Sequence, residues 1–320
     1  MKRIFRAVPL LLVVVCAAVL LRYSREGADA VHEALTLCAA SVIPSLFPFF
    51  ILSSLAVSLG FARIIGRYLE RMMRTLFYVG GVGASALAIG FVGGYPAGAR
   101  TVGALYREGT LTKDESQRLL AFCNNSGPAF ILGMAGVGIF GEGRIGAYLY
   151  LIHVLAALLT GILLRRIGRG DITLCRTHAT VEKPSFAAAF TDAVQSSLGA
   201  ILNVCAYVTV FIVFLRLLAL CGVLTLPVKF LSALFPPLSR NAAALVFGAL
   251  EMTSGIAALT PDAQGFVCAA ALIGWGGLSV HAQTLSLLPS ELGARRYFLG
   301  KGMHCAISAV LAHIAAGFIF

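Results

Sequence analysis

The chain has 320 residues, 59% hydrophobic and 12% charged, with a mean hydropathy of +0.90 and a net charge of +11. Soluble domains carry about 25% charged residues, so this chain has too few polar groups to cover a water-facing surface, and the solvent for most of it is lipid. The positive balance does not point to nucleic acid, because Lys and Arg crowd the short links between apolar runs and no aromatic-interleaved basic patch occurs.

Apolar stretches fall at about 4–21, 37–59, 76–106, 119–140, 145–164, 200–221, 241–262, 265–288 and 303–320. The first follows Lys2, Arg3 and Arg6 and ends at Leu21-Arg22-Tyr23 without a small-residue cleavage site. It is expected to be an uncleaved membrane helix rather than a signal peptide. Several stretches approach the ~20 residues a helix needs to cross the hydrocarbon. Two differ. The 76–106 stretch is long for one crossing and short for two, and Gly93-Gly94-Tyr95-Pro96 interrupts it. The 241–262 stretch is interrupted around Thr253-Ser254-Gly255. Both are expected to be re-entrant hairpins, entering and leaving on one side. Segment 62–74, with Arg63, Arg67, Glu70, Arg71 and Arg74, reads as an amphipathic helix on the inner surface. Segment 107–118 reads as a solvated helix start, with Thr112 the N-cap and Glu115 its capping-box partner.

With the N-terminus in the cytoplasm and both hairpins re-entrant, the inner links 1–6, 60–75, 107–118, 165–185 and 289–302 carry most of the 25 Lys and Arg. The outer links carry Arg22, Arg25, Arg144, Lys229 and Arg240, as the positive-inside rule asks. Arg100 and Arg216 lie inside apolar segments, and Arg216 most simply snorkels to the headgroups. The same plan of span, hairpin, span, span then occurs twice, in opposite orientation. The expected architecture is an all-α polytopic membrane protein of two inverted repeats with broken helices, roughly seven full spans plus two hairpins. An N-terminal transmembrane helix occupies 1–30, the first repeat 31–164, a basic cytoplasmic linker 165–185 and the second, inverted repeat 186–320. Inverted repeats with broken helices mark secondary transporters, whose site lies at the repeat interface.

Four polar clusters inside apolar runs are candidates for that site. In Gly94-Tyr95-Pro96-Ala97-Gly98-Ala99-Arg100, a helix restarting after Pro96 would aim N–H groups at an anion, with Arg100 adding a full charge. The alternative is a structural turn with Arg100 reaching the headgroups. Asn124, Asn125 and Ser126 precede a Gly-Pro break and offer donors and acceptors to a polar solute, or else bind helices together. Thr253 and Ser254 mark the second break, beside Glu251, a carboxylate at membrane depth that suits ion coupling or sits near water. Ser279 and Gln283 share a helix face and suit a cavity wall, while His281, on another side, is a second candidate for ion coupling. The substrate-binding set is therefore Tyr95, Gly98, Arg100, Asn124, Asn125, Ser126, Thr253, Ser254, Ser279 and Gln283. The other histidines (His32, His153, His178, His304 and His313) show no ligand spacing; His304 and His313 are expected in helix contacts. The eight Cys form no CxxC pair, and all but Cys175 sit in apolar runs as small hydrophobes. No P-loop, GxGxxG, GxSxG or HExxH occurs, so no enzyme activity, cofactor or metal is expected.

Three motifs together carry a family likeness: Ile43-Pro44-Ser45-Leu46-Phe47-Pro48-Phe49-Phe50-Ile51-Leu52, Gly94-Tyr95-Pro96-Ala97-Gly98-Ala99 and Phe122-Cys123-Asn124-Asn125-Ser126-Gly127-Pro128. Over essentially its whole length the chain resembles the sporulation integral membrane proteins called YlbJ or SpoVV, of the nucleoside-recognition "gate" domain group. The resemblance implies a transporter of endospore-forming bacteria that moves dipicolinic acid from the mother cell across the outer forespore membrane. Dipicolinate is a small aromatic dicarboxylate, which suits helix ends, amides and one Arg, with Tyr95 or Trp275 available to stack on the ring. The same chemistry suits other aromatic acids or nucleosides, since the gate domain also resembles regions of nucleoside and ferrous-iron transporters. A membrane scaffold or sensor is the contrasting class; its polar interaction domain should be visible, yet the longest polar link is 165–185. The expected partners are an anionic small molecule and the lipid bilayer; a homo-oligomer is compatible with the sequence.

Overall fold

The computed structural model describes residues 2–166 and 185–320, which are helical apart from turns and short extended breaks. Most of the basic linker, with His178, lies outside the described residues. Helix α1 (Lys2–Arg22) is followed by α2 (Ser24–Leu37), which passes through a π-helical turn, Cys38–Val42, into α3 (Ile43–Ser58). Pro44 gives the turn a cause: its ring would collide with the carbonyl of Ala40 in a regular helix, and widening relieves the clash. The continuous run 24–58 is as long as the 35-residue helix α9 (Phe186–Leu220), which begins where Ser185 accepts a hydrogen bond from the Ala188 N–H. The two long runs pack antiparallel. Glu33 pairs with Arg216, the Cys38 thiol reaches the Cys205 carbonyl, and the Ser54 and Ser196 hydroxyls lie 3.0 Å apart. Arg216, whose side chain stays partly exposed, meets Glu33 in this ion pair.

After each long run the same order of elements follows. In the first half, α4 (Phe61–Met72) precedes α5 (Gly83–Gly93) and α6 (Ala97–Arg107), then α7 (Lys113–Cys123), a π-helical segment Ala129–Ile139, and α8 (Gly143–Leu164). In the second, α10 (Thr225–Leu234) precedes α11 (Ala242–Leu250) and α12 (Met252–Ala257), then α13 (Ala263–Trp275), α14 (Gly277–Leu287) and α15 (Arg295–Ile319). Helices α5 and α6 have 11 residues each, about 16 Å at 1.5 Å per residue, roughly half of a ~30 Å hydrocarbon core. They pack on each other as a hairpin, as do the still shorter α11 and α12. Four helical segments among the described residues are long and apolar enough to cross: Gly143–Leu164, Phe186–Leu220, Ala263–Leu287 and Arg295–Ile319. The stretch expected to cross at 119–140 is instead split at 124–127.

Burial is distributed for lipid. On α8, Leu151, Leu155, Leu159 and Leu163 point outward at helical spacing, while Leu149, His153, Ala156 and Thr160 point in. On α15 the outward residues are Leu299, Val310, Ile314 and Phe318, whereas Tyr297, Lys301, His304 and Ser308 are buried. An apolar exterior around a polar interior inverts the pattern of a soluble helix. Two sequence readings change here. Lys301 is not a charge of the inner link 289–302, because α15 carries it into the core. Segment 107–118 forms the expected capping box, but it is not solvated throughout. Glu115, Ser116 and Arg118 are buried, with Glu115 accepting from the Gly80 N–H and Arg118 donating to the Tyr78 carbonyl. Helix α4 keeps Arg67, Tyr68 and Arg71 exposed and buries Gly66, as an amphipathic surface helix does.

Candidate functional site

The site forms where the helix breaks meet. Helix α5 stops at Gly94, whose φ of +74° is a conformation open to glycine, and α6 restarts after Pro96. Helix α7 ends at Cys123, and its terminal carbonyl lies in the crease between α5 and α6. A Cβ at Gly90 would stand 1.8 Å from that oxygen, and one at Gly98 2.3 Å. Gly98 therefore serves a close helix crossing. The chain then runs extended through 124–127, and a Cβ on Gly94 would meet the Gly127 nitrogen at 2.8 Å, so the two first-half breaks cross directly.

The second half repeats the contact. Glu251 interrupts α11 and α12, and Gly276 and Gly277, both at positive φ, interrupt α13 and α14. A Cβ on Gly277 would lie 3.0 Å from the Met252 nitrogen, so these breaks also cross. Tyr95 joins the pairs: its hydroxyl donates to the Ile273 carbonyl at 3.3 Å and would meet a Cβ on Gly276 at 3.0 Å.

The starts of α6 and α12 at these breaks are engaged by the protein's own side chains. The Ala99 N–H donates to the Asn124 amide oxygen at 3.3 Å. The Glu251 carboxylate accepts from the Thr253 N–H at 3.1 Å, the Ser254 N–H at 2.7 Å and the Ser254 hydroxyl at 2.8 Å. Glu251 is 2% exposed, so it belongs to the interior and not to a watery surface.

A cavity of about 580 Å³ opens beside the crossings. Its polar lining is Tyr95, Ser126, Glu251, Thr253, Ser279 and Gln283; Val42, Phe130, Met134, Val204 and Val208 are among its apolar lining. The Gln283 amide donates to the Ser279 hydroxyl at 3.3 Å, which aligns the two at i, i+4. The cavity thus brings together Tyr95, Ser126, Thr253, Ser279 and Gln283 of the expected set, with Glu251.

The remaining candidates sit elsewhere. Arg100 lines a smaller cavity of about 160 Å³ with Ser54, Pro96 and Thr101, and donates to the Ser196 carbonyl at 3.4 Å. Asn124 braces: its amide nitrogen donates to the Thr284 hydroxyl at 2.8 Å. Asn125 turns back to the Phe122 carbonyl at 2.9 Å, and Ser254 is held by Glu251. His281 points away, its Nδ1 2.8 Å from the Tyr297 hydroxyl and its ring edge-on to Trp275. Trp275 donates to the Ala249 carbonyl at 3.1 Å and packs on His281, so it does not line the cavity.

Two buried groups escaped the sequence reading. The Lys301 ammonium donates to the Tyr95 hydroxyl at 2.8 Å and to the Asn124 carbonyl at 2.9 Å, and among the described residues it has no carboxylate within ion-pair distance. His153 accepts the Ser126 N–H on Nε2 at 3.1 Å, which places its own proton on Nδ1. Its ring stacks on His304 at 4.5 Å between centroids, and His304 Nε2 donates to the His153 carbonyl. A signal for Lys301 was present: Tyr297, Lys301, His304 and Ser308 recur at helical spacing on one face of an otherwise apolar segment.

The chain is 31% identical over 323 aligned positions to the sporulation integral membrane protein YlbJ of Bacillus subtilis (strain 168), covering 92% of this chain and 79% of that protein. No family model matches the chain, and no solved structure matches it.

Proposed function

Because the chain belongs to the YlbJ family of sporulation integral membrane proteins, we propose that it is a membrane transporter whose solute occupies the cavity at the helix breaks. The observation that carries this reading is the cavity itself, whose lining gathers polar side chains from the breaks of both halves. Such an arrangement at the meeting of broken helices is how secondary transporters hold a solute. The recurring order of elements and the antiparallel packing of 24–58 on α9 support two inverted repeats, 31–164 and 186–320, with rocking of one against the other as the transport step.

The leading solute is dipicolinate, carried across the outer forespore membrane with the N-terminus cytoplasmic. Its ring suits the apolar wall of Phe130, Val204 and Val208, and its carboxylates suit donors from Ser126, Ser279 and Gln283. Glu251 is part of the same lining and repels an anion, so entry requires a proton or cation alongside it. That assigns Glu251 the coupling role. A second reading has its own support: Glu251 is the one charged side chain lining the cavity among the described residues, which suits a neutral heterocycle such as a nucleoside.

Uptake into liposomes containing the purified protein tests both. Labelled dipicolinate should accumulate, and Gln283→Leu should cut its uptake about tenfold or more, the worth of one hydrogen bond to a charged group. Uptake of a nucleoside with none of dipicolinate would replace the first reading with the second. Uptake of neither would remove the transporter.

A further inference from the structure

We propose that Lys301 is a specificity-determining cation behind the cavity, selecting an anionic aromatic solute by polarising the hydroxyl of Tyr95, a residue of the cavity lining. This rests on the transporter reading and names the charge class of its solute. A buried ammonium is costly unless a charge or a strong set of acceptors compensates it. Lys301 is 1% exposed, and its acceptors are two neutral oxygens, the Tyr95 hydroxyl at 2.8 Å and the Asn124 carbonyl at 2.9 Å. Among the described residues no carboxylate stands within ion-pair distance of the ammonium, and the cavity that Tyr95 lines is a place where a negative charge can arrive.

The geometry of Tyr95 fits a relay. Its oxygen accepts from the ammonium, which draws electron density from the O–H and makes that proton a stronger donor. The proton's present acceptor, the Ile273 carbonyl, is at 3.3 Å, the long end for a hydroxyl hydrogen bond. A solute carboxylate in the cavity offers a charged acceptor in exchange. Gly276 leaves space at the hydroxyl, where a Cβ would stand 3.0 Å away. Tyr95, polarised by Lys301, attracts a carboxylate and Glu251 repels one, so within the lining the solute carboxylate is favoured at Tyr95. Lys301 touches no solute in this arrangement; it is a positioning residue acting through Tyr95.

A pair of ligands matched in shape and different in charge separates this role from simple bracing. Binding of dipicolinate and of its neutral diamide would be measured by calorimetry on the full chain in lipid nanodiscs, for wild type, Lys301→Gln and Tyr95→Phe. Wild type should prefer dipicolinate, and both variants should lose that preference by about tenfold or more, with little change for the diamide. The double variant should lose no more than either single one, since the two residues form one relay. A wild-type-like ratio in Lys301→Gln would overturn the relay while leaving the transporter intact. Preference of wild type for the diamide would also overturn it, in favour of a neutral solute. Binding of neither ligand by wild type would end the solute reading and the relay together. Should Lys301→Gln fail to fold, Tyr95→Phe, which keeps the ring and removes only the hydroxyl, decides the outcome alone.

Discussion

Asn124 is engaged at every polar atom of its amide and at its carbonyl: it accepts from the α6 start, donates to Thr284 on α14 and receives Lys301 from α15. Replacing it by Leu would leave the Ala99 N–H buried without a partner, so Asn124→Leu should destabilise the protein by about 1–3 kcal/mol. The thermal unfolding midpoint in detergent reads this, and dipicolinate binding should fall only as far as folding does. The sequence marked Asn124 and its neighbours because amides are rare in an apolar run. It could not divide those lining a cavity from those bracing it, because that depends on where a break aims each side chain. Arg100 and Lys301 show the limit most clearly. Each is a cation in or beside an apolar stretch, yet the fold sends Arg100 to a side cavity and Lys301 to the centre.

At the scale of elements, the breaks were legible and the caps partly so. Glycines and Pro96 announce the first break, and Thr112 with Glu115 announces the start of α7. Glu251 looked like a functional carboxylate and is also the cap of α12, which sequence spacing alone does not reveal. Asp262 caps α13 in the same manner, in the turn that joins α12 to α13. The Gly265 N–H holds its carboxyl below the usual carboxylate range, against a smaller opposing effect of desolvation, with Thr260 and Arg240 assisting. A carboxyl lowered in the folded state stabilises above its unfolded value, near pH 4, and loses that contribution as pH falls through the folded value. The unfolding midpoint should therefore be insensitive to Asp262 ionisation between about pH 5 and 8. Below about pH 4 it should decline, and Asp262→Asn should flatten part of the decline while lowering the midpoint at neutral pH. Identical acid profiles for the two proteins would show that the cap contributes nothing measurable.

Over the whole molecule, the antiparallel pair of long helices is the feature the sequence hid best. Residues 24–36 carry Arg25, Glu26, Asp29, His32 and Glu33, too polar for an apolar-run search, so the first long helix read as a short span starting at 37. With its length equal to that of α9, the same order of elements follows a long helical run in each of the two halves. Their surface helices then differ in the sense inversion demands: α4 exposes Arg67 and Arg71, whereas α10 carries a single cation, Lys229. On the proposed inversion, the positive-inside rule would put the first at the cytoplasmic face and the second at the opposite one. The turns that follow the two hairpins should then lie on opposite sides. Gly109 and Pro261 are exposed in those turns, and single cysteines there, in a background with Cys175 of the polar linker and the exposed Cys221 replaced by Ser, would report the side directly. With a membrane-impermeant maleimide, Gly109→Cys should label only from the cytoplasmic face and Pro261→Cys only from the other. Labelling of both from one face would overturn the proposed inversion, and the proposed rocking of one half against the other would go with it, leaving the cavity without a route to alternate sides.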